Sequence, residues 1–364
     1  MLENYRLSDI VTPLLQWFEE NARILPWREE PTPYRVWVSE IMLQQTRVEA
    51  VKPYFERFIK ALPSIRDLAG CEEERLMKLW EGLGYYNRVR NMQSAARTVV
   101  ESYGGELPAD YEKLLTLKGI GSYTAGAIAS IAYQIPVPAV DGNVLRVISR
   151  VTADDSDIMK QSVRTKVEHA LQEVMPKDQA GVFNQALMEL GATVCLPNGA
   201  PQCSVCPWNG ICEAKAHGKW QELPVKSKAK PRRMEKKTVF VIQGGDKVAI
   251  RKRPSKGLLA GMYEFPNIDG HLSEEEALLW VKEQGLLPIR IQELEPAKHI
   301  FSHVEWHMTG YVIRVDELAE DKGGFLFVET ADSEDRYPIP AAFRAYTKYM
   351  EIRLGNEKFD HGRT

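Results

Sequence analysis

The chain has 364 residues, too many for one ordinary hydrophobic core, and its 44% hydrophobic and 27% charged residues are typical of a soluble globular protein. A formal net charge of −3 excludes a polycation, so any nucleic-acid surface must be a local patch. The opening "MLENYRLSDIVTPLLQWFEE" lacks a basic start before an apolar core, and no apolar run reaches membrane length. The expectation is therefore no signal peptide, no membrane span and a reducing compartment that disfavours disulfides.

In chain order, residues 1 to about 215 read as helix after helix. "LSDIVTPLLQWFEENA" repeats apolar residues at helical spacing, with Ser8 or Asp9 as N-cap. "YRVWVSEIMLQQTRVEAVKPYFERFIKAL" carries a long helical pattern interrupted at Pro53. "DLAGCEEERLMKLWEGLG" starts acidic and ends in glycine, as helices prefer, with Cys71 inside it as a buried small hydrophobe. "DYEKLLTL", "SYTAGAIASIAY", "GNVLRVISRV", "VRTKVEHALQEVM" and "AGVFNQALMELGATVC" continue the series. Four of the five cysteines then fall in "CLPNGAPQCSVCPWNGIC", residues 195–212, as one CxxC pair flanked by single cysteines. Zinc ribbons more often use two such pairs, whereas one short loop of four thiolates suits a [4Fe–4S] cube; the spacing leaves both open.

The composition changes at "KSKAKPRRMEKK", residues 226–237, with seven Lys or Arg and one Glu. It reads as an exposed connector, either solvated or lying as a strap along phosphates. Beyond it, "TVFVIQGGDKVAIRKR" alternates as a hairpin turning at Gly244, Gly245 and Asp246. "EEEALLWVKEQGL" is one helix and "WHMTGYVIRV" a further strand. This predicts a second domain, α/β or α+β, from about residue 236.

The stretch "LKGIGSYTAGAIA", residues 117–129, closes one helix at Leu117, turns at Gly119 and Gly121, and opens another near Ser122. Such a helix–hairpin–helix offers outward N–H groups that can grip one DNA phosphate without reading sequence. In "VPAVDGNVLRV", Asp141 precedes a helix, where the dipole and N–H groups favour its anion.

The hairpin, the Gly/Pro-rich loop and Asp141, with the four cysteines behind them, resemble the helix–hairpin–helix DNA glycosylase superfamily, in its endonuclease III and MutY branch. By that resemblance Cys195, Cys203, Cys206 and Cys212 are ligands of a [4Fe–4S] cluster, and a structural monovalent or divalent cation sits at the hairpin. The spacing between the first two cysteines is one residue longer than is usual in the family. Bifunctional members place a lysine two residues after the second hairpin glycine, where this chain has Tyr123. Without that amine the Schiff-base route is lost, which implies a monofunctional adenine glycosylase.

The resemblance extends to individual residues. "LPWR" at 25–28 and "WVSEIMLQQTRVE" at 37–49 are similar to adenine-pocket segments, which implies that Arg23, Leu25, Trp27 and Arg28 line the pocket, with Gln185 approaching the base. Glu40, embedded in an apolar stretch, becomes the general acid that protonates adenine N7, and Asp141 stabilises or captures the sugar cation. Tyr123 and Asn143 assist them. Gln45 and Tyr85 wedge into the opened duplex, Gly119, Gly121 and Ser122 hold its backbone, and Arg47, Arg88 and Arg90 suit phosphates. "GLLAGMYEFP" resembles the Nudix-like domain of the branch, although two of the three glutamate positions of a working Nudix helix hold Leu279 and Lys282, with Glu283 at the third. "HIFSH" resembles the loop whose Phe301, Ser302 and His303 recognise 8-oxoguanine.

The resemblance covers residues from about 10 to 350. It implies a multidomain protein: a mainly α catalytic region at 1–216, a basic connector at 217–235 and an α+β Nudix-like domain at 236–364. The catalytic region comprises a six-helix barrel at about 28–136 and an iron–sulfur module at 1–27 and 137–216. The expected partner is double-stranded DNA carrying A·8-oxoG or A·G mispairs, bound by a monomer of the bacterial cytoplasm and nucleoid, with repair-pathway proteins as further partners. Competing readings are an endonuclease III-like lyase, a non-enzymatic iron–sulfur DNA-binding or electron-carrying protein, and a Nudix pyrophosphatase with a DNA-binding appendage.

Overall fold

The computed structural model describes residues 5–227, 230–316 and 324–355. The chain divides into two compact units, Met1–Gly70 with Arg90–Ala229, and Cys71–Val89 with Lys230–Thr364.

The first unit is helical. A 3-10 turn, Leu7–Ile10, runs into the helix Val11–Asn21, and no side chain caps that helix. Ser8 and Asp9, expected as caps, lie inside the turn, because helical winding there carries both Leu7 and Ile10 into the core. The next long pattern splits into Pro33–Leu43 and Val48–Ala61. The break falls between them, where Gln45 is left-handed at φ 59°, and not at Pro53 as expected. Pro53 is tolerated inside the second helix because Val51, Tyr54, Phe55 and Phe58 bury one continuous face, which outweighs one lost N–H bond. Cys71 is buried as expected, but between the short helices Ile65–Gly70 and Glu73–Leu79, not within one.

The helices Val11–Asn21, Gly142–Val151, Gln161–Val174 and Ala180–Thr193 share a core built on Ile10, Leu14, Val144, Ile148, Leu171, Phe183 and Leu187. Two of these helices approach closely enough that a Cβ on Gly191 would stand 2.6 Å from the Asn143 Cβ. That contact fixes the start of Gly142–Val151, where Asp141 sits.

The second unit is built on a mixed sheet. Its strands are β1 (Arg233–Gly244), β2 (Lys247–Lys252), β3 (Tyr263–Glu264), β4 (Asn267–Asp269), β5 (Pro288–Ile300), β6 (Val304–Val315) and β7 (Leu326–Glu329). The path runs β3-β2-β1-β6-β5, with β4 on β1 and β7 on β2. β1 and β6 run parallel and the other pairs antiparallel. The expected hairpin joins β1 to β2, with Gly245 at φ 59°. The expected helix, Glu274–Glu283, is started by a Ser273–Glu276 capping box and buries Ala277 and Val281 against Phe240, Ile242 and Ile313. The opposite sheet face packs Val239, Ile250, Trp306 and Met308 on Phe343 and Tyr346. Arg233 to Lys237 are already strand, so the basic run is a connector only in its first part.

The segment Cys71–Val89 is held to the rest of this unit by the hydrogen bonds of its own Lys78–Glu81 ion pair. Glu81, 1% exposed, accepts from Lys78 Nζ at 2.9 Å and from the backbone N–H of Ile339 at 2.8 Å and of Gly355 at 3.2 Å. Lys78 also donates to the Tyr337 and Ser333 carbonyls at 3.0 and 3.2 Å.

Candidate active site and cysteine cavity

A cleft of about 830 Å³ opens in the helical unit. It collects Arg23, Leu25, Trp27, Arg28, Glu40, Gln45, Tyr123, Asp141, Asn143 and Gln185, residues spread over much of the unit's sequence. Glu40 projects from Pro33–Leu43 and is 5% exposed among Val36, Trp37 and Ile41. Tyr123 lies at the start of the helix Ser122–Ala127, which continues as a π-helical turn over Ile128–Ala132. Its hydroxyl donates to Glu40 Oε2 and stands 3.3 Å from Met188 Sδ. Burial pushes the Glu40 carboxyl up to about 7; the Tyr123 bond opposes this and the nearby Asp141 adds to it. Burial, then Glu40 and Asp141, hold the Tyr123 phenol well above its ordinary range, so it stays a donor.

Asp141 caps Gly142–Val151 as expected, accepting from Val144 N–H at 2.7 Å and Asn143 Nδ2 at 2.8 Å. Its carboxyl is nevertheless raised, not lowered: burial outweighs the bonds from Val144 and Asn143. The sequence showed the cap but not the enclosure. Asn184, fully buried, positions the loop leading to Asp141 by bonding Ser130 Oγ and Val137 O at 2.8 Å and accepting from Ala139 N–H at 3.0 Å. Beyond Asp141, Arg146 donates to Asn143 Oδ1 at 2.8 Å, Gly191 O at 2.7 Å and Cys195 O at 2.9 Å. This path runs from the Asp141 carboxylate to the cysteine loop.

Leu25 and Trp27 are buried, with Trp27 edge-on to Phe55 at 5.5 Å. Arg23 and Arg28 both bind Glu189, which is 1% exposed: Arg23 Nε and Nη2 at 2.6 and 3.0 Å, Arg28 Nη2 at 2.9 Å. Sequence reasoning missed Glu189. The only available signal was its place four residues after Gln185 on the same helix. Gln185 itself donates to Gly181 O at 3.2 Å. At the hairpin only one glycine is required. Gly119 has φ 82° and a Cβ there would meet the Asn91 Cβ at 2.8 Å, whereas Gly121 is extended with open space beside it. Ser122 Oγ is taken by Glu168 at 3.0 Å.

In the second unit, Phe301, Ser302 and His303 form the tip between β5 and β6, closed by the Phe301 N–H to Val304 O bond of 2.8 Å. Phe301 packs edge-on against Trp306 at 4.9 Å, while Ser302 and His303 face solvent. Tyr85, exposed and left-handed at φ 47°, brings its hydroxyl to 3.0 Å from Ser302 Oγ. No sequence pattern linked the two. Arg88, expected to suit phosphates, instead lies against the Trp80 and Tyr85 rings and donates to the Leu83 and Gly84 carbonyls; burial pushes it down to about 10.

Cys195, Cys203, Cys206 and Cys212 line one small cavity of the helical unit, together with Val147, Val151, Leu190 and Trp208. None of the four is in a disulfide. Burial, then the other three sulfurs, pushes Cys206 up to about 12. Arg150 Nη1 stands 3.3 Å from Cys195 Sγ, and Trp208 Nε1 ties the loop to Ile10 O at 3.0 Å. Among the described residues no three His, Cys, Asp or Glu are gathered so as to hold a metal ion. No described helix is long and apolar enough to cross a membrane.

Residues 38–177 match the model of the HhH-GPD superfamily base excision DNA repair proteins, and residues 238–349 match that of the NUDIX domain. The chain is similar to an adenine DNA glycosylase of Mus musculus, 37% identical over 362 residues, covering 84% of this chain and 70% of the relative. An adenine DNA glycosylase of Buchnera aphidicola subsp. Acyrthosiphon pisum is 32% identical over 320 residues, with coverage of 88% and 89%. Among solved structures, a thermostable thymine-DNA glycosylase aligns at 26% identity and TM-score 0.52, over 57% of this chain and 96% of that one. Endonuclease III trapped covalently on DNA shares the fold at 24% identity and TM-score 0.50, over 61% and 98%.

Proposed function

From a chain that belongs to the adenine DNA glycosylases, base excision repair enzymes that cleave the N-glycosidic bond, we propose how its own residues divide the work. The substrate is adenine opposite 8-oxoguanine, or opposite guanine, flipped into the cleft. Glu40 is the general acid. With its carboxyl raised to about 7 it holds a proton near neutral pH, and it gives that proton to adenine N7 as the bond to C1′ breaks. Tyr123 keeps the carboxyl oriented. Asp141 faces the sugar cation: Val144 N–H and Asn143 Nδ2 donate to its carboxylate and favour the charged form that a cation calls for. Water then completes the exchange at C1′, leaving an abasic site and free adenine. The observation that carries this reading is the pair of enclosed carboxyls in one cleft, with the phenol of Tyr123 where a lyase would need an amine.

Around the base, Leu25 and Trp27 supply the apolar wall, and Arg23 and Arg28 its polar edge, held by Glu189, with Gln185 on the neighbouring turn. Gln45 and Tyr85 wedge the duplex, and the hairpin Gly119–Ser122 holds a backbone phosphate and would take a structural cation. Ser302 reads the 8-oxoguanine hydrogen at N7, between Phe301 and His303. Four cysteines lining one cavity next to Arg150 offer the donor chemistry of a [4Fe–4S] cluster, which Cys195, Cys203, Cys206 and Cys212 would hold. Such a cluster would supply iron for these four thiolates to bind, cross-linking the loop for DNA docking. Cys203→Ser is expected to lower bound iron and weaken DNA binding; unchanged iron content contradicts the assignment. The protein works as a monomer on nucleoid DNA, alongside repair-pathway partners.

The deciding experiment is single-turnover base release from an A·8-oxoG duplex and a thymine glycol·A duplex, with and without alkali. Adenine release that gives strand breaks only after alkali supports the reading. Nicking of the thymine glycol strand without alkali overturns it.

A further inference from the structure

A second concavity, about 460 Å³, lies in the C-terminal unit, away from the 301–303 tip in sequence and lined by none of its residues. Lys237 of β1, Arg251 and Lys252 of β2, and Arg253 just after β2 all line it. Two carboxylates, Glu264 and Asp269, face these four cations, an excess of two positive charges. Counting Glu74, which Lys252 reaches at 2.7 Å, still leaves one. The whole chain carries −3, so this concavity runs against the overall balance.

The cations are also fixed in place. Glu264, 2% exposed, binds both guanidiniums, Arg251 Nε at 2.9 Å and Arg253 Nη1 on its other oxygen. Arg251 Nη2 donates to Asn267 O at 2.7 Å, and Arg253 Nε to Leu258 O at 3.0 Å. The Lys237 ammonium lies 4.9 Å from the Trp306 ring, with Arg253 over the same indole at 5.8 Å. One buried carboxylate shared between two half-buried guanidiniums leaves one positive charge uncompensated, the state that an incoming anion relieves. The Lys237 partner, Asp269, is 87% exposed, and a solvated carboxylate competes weakly. Rigid guanidinium and ammonium donors around a concavity of this size match the geometry and charge of phosphate oxygens.

We propose that the concavity bounded by Lys237, Arg251 and Arg253 binds a phosphate group, of a free nucleotide or of the DNA backbone. It is a binding site only: Leu279 and Lys282 stand where a magnesium-dependent Nudix helix needs glutamates. The inference does not rest on the glycosylase reading, and its test involves no base release.

The test uses the full chain with EDTA present, as wild type and as Lys237→Met and Arg253→Gln. Lys237→Met keeps an unbranched apolar side chain on Trp306, so it serves even if Arg253→Gln unsettles Glu264; thermal melting identifies an unfolded variant. Calorimetric titration with pyrophosphate at low salt is expected to show saturable binding that weakens at least about tenfold in the folded variants. Two arms separate the sources. If the site takes a free nucleotide, dGTP displaces pyrophosphate and the salt dependence of duplex binding is unchanged by Lys237→Met. If it takes a backbone phosphate, the slope of log K against log salt for an undamaged duplex falls by about one in that variant. Pyrophosphate binding that the folded variants retain, or no binding together with an unchanged salt slope, overturns the proposal.

Discussion

Both units of this protein bury glutamates, and two of these, Glu81 and Glu40, are treated differently. In the C-terminal unit Glu81 is met by an ammonium and two backbone N–H groups. In the cleft of the helical unit Glu40 is as deeply enclosed, yet its hydrogen bond comes from an uncharged phenol, and its carboxyl rises to about 7. Burial alone therefore does not mark a reactive carboxyl. The mark is burial without enough compensating donors, which holds the proton on at neutral pH. Glu189, in the wall of the same cleft, sharpens the point. Burial alone raises it, but Arg23 and Arg28 outweigh burial and its carboxyl ends below the ordinary range.

The comparison breaks most readily at the reactive group. Glu40→Gln is expected to slow single-turnover adenine release by about 10²–10⁴-fold while leaving the melting temperature level or higher. A variant that releases adenine at the wild-type rate removes Glu40 from the chemistry. The compensated glutamate gives the opposite pattern. Glu81→Ala takes the counter-charge from Lys78, which keeps only its two carbonyl acceptors, and removes the acceptor of the Ile339 and Gly355 N–H groups; it is expected to cost about 3–5 kcal/mol in denaturant unfolding of the full chain. Loss below about 1 kcal/mol contradicts that account of the segment Cys71–Val89.

Titration separates the two kinds of glutamate by sign. Glu40 has a folded pKa of about 7, above its ordinary 4.5, so it binds its proton more tightly when folded. Its contribution to stability is full below about 4.5 and is lost as pH rises through about 7, and the release rate falls over the same upper range. Glu189 runs the other way: its folded pKa is depressed, so the stability it adds is present above the ordinary carboxylate range and is lost as pH falls through the folded value. Unfolding followed between pH 4 and 8 in wild type and Glu40→Gln isolates the first slope, and a pH-independent release rate sinks it. The smallest effect is expected at Tyr85→Phe, which removes a solvent-facing contact with Ser302 worth about 1 kcal/mol. The preference for A·8-oxoG over A·G should drop by less than about tenfold. An unchanged ratio means that this hydroxyl does not position Ser302.

Much of the molecule was legible in the sequence, because much of it is local. Helical periodicity placed Gly142–Val151 and Ala180–Thr193, alternation placed the β1–β2 hairpin, and the residue before a helix start identified Asp141 as a cap. These signals arise within a few residues of chain, where backbone sterics and N–H satisfaction act. Local rules also misplaced the break at Pro53, where burial of Val51, Phe55 and Phe58 overrode a helix-breaking residue. Only the tertiary structure could decide the rest. It set Tyr123 on Glu40, gave Arg23 and Arg28 to Glu189, brought Tyr85 to Ser302 and gathered Lys237, Arg251 and Arg253 around one concavity. The physical reason is that solvation and charge pairing depend on what lies nearby in space. The N–H groups that favour the Asp141 anion are local, but the enclosure that raises its carboxyl is assembled from elements remote in sequence.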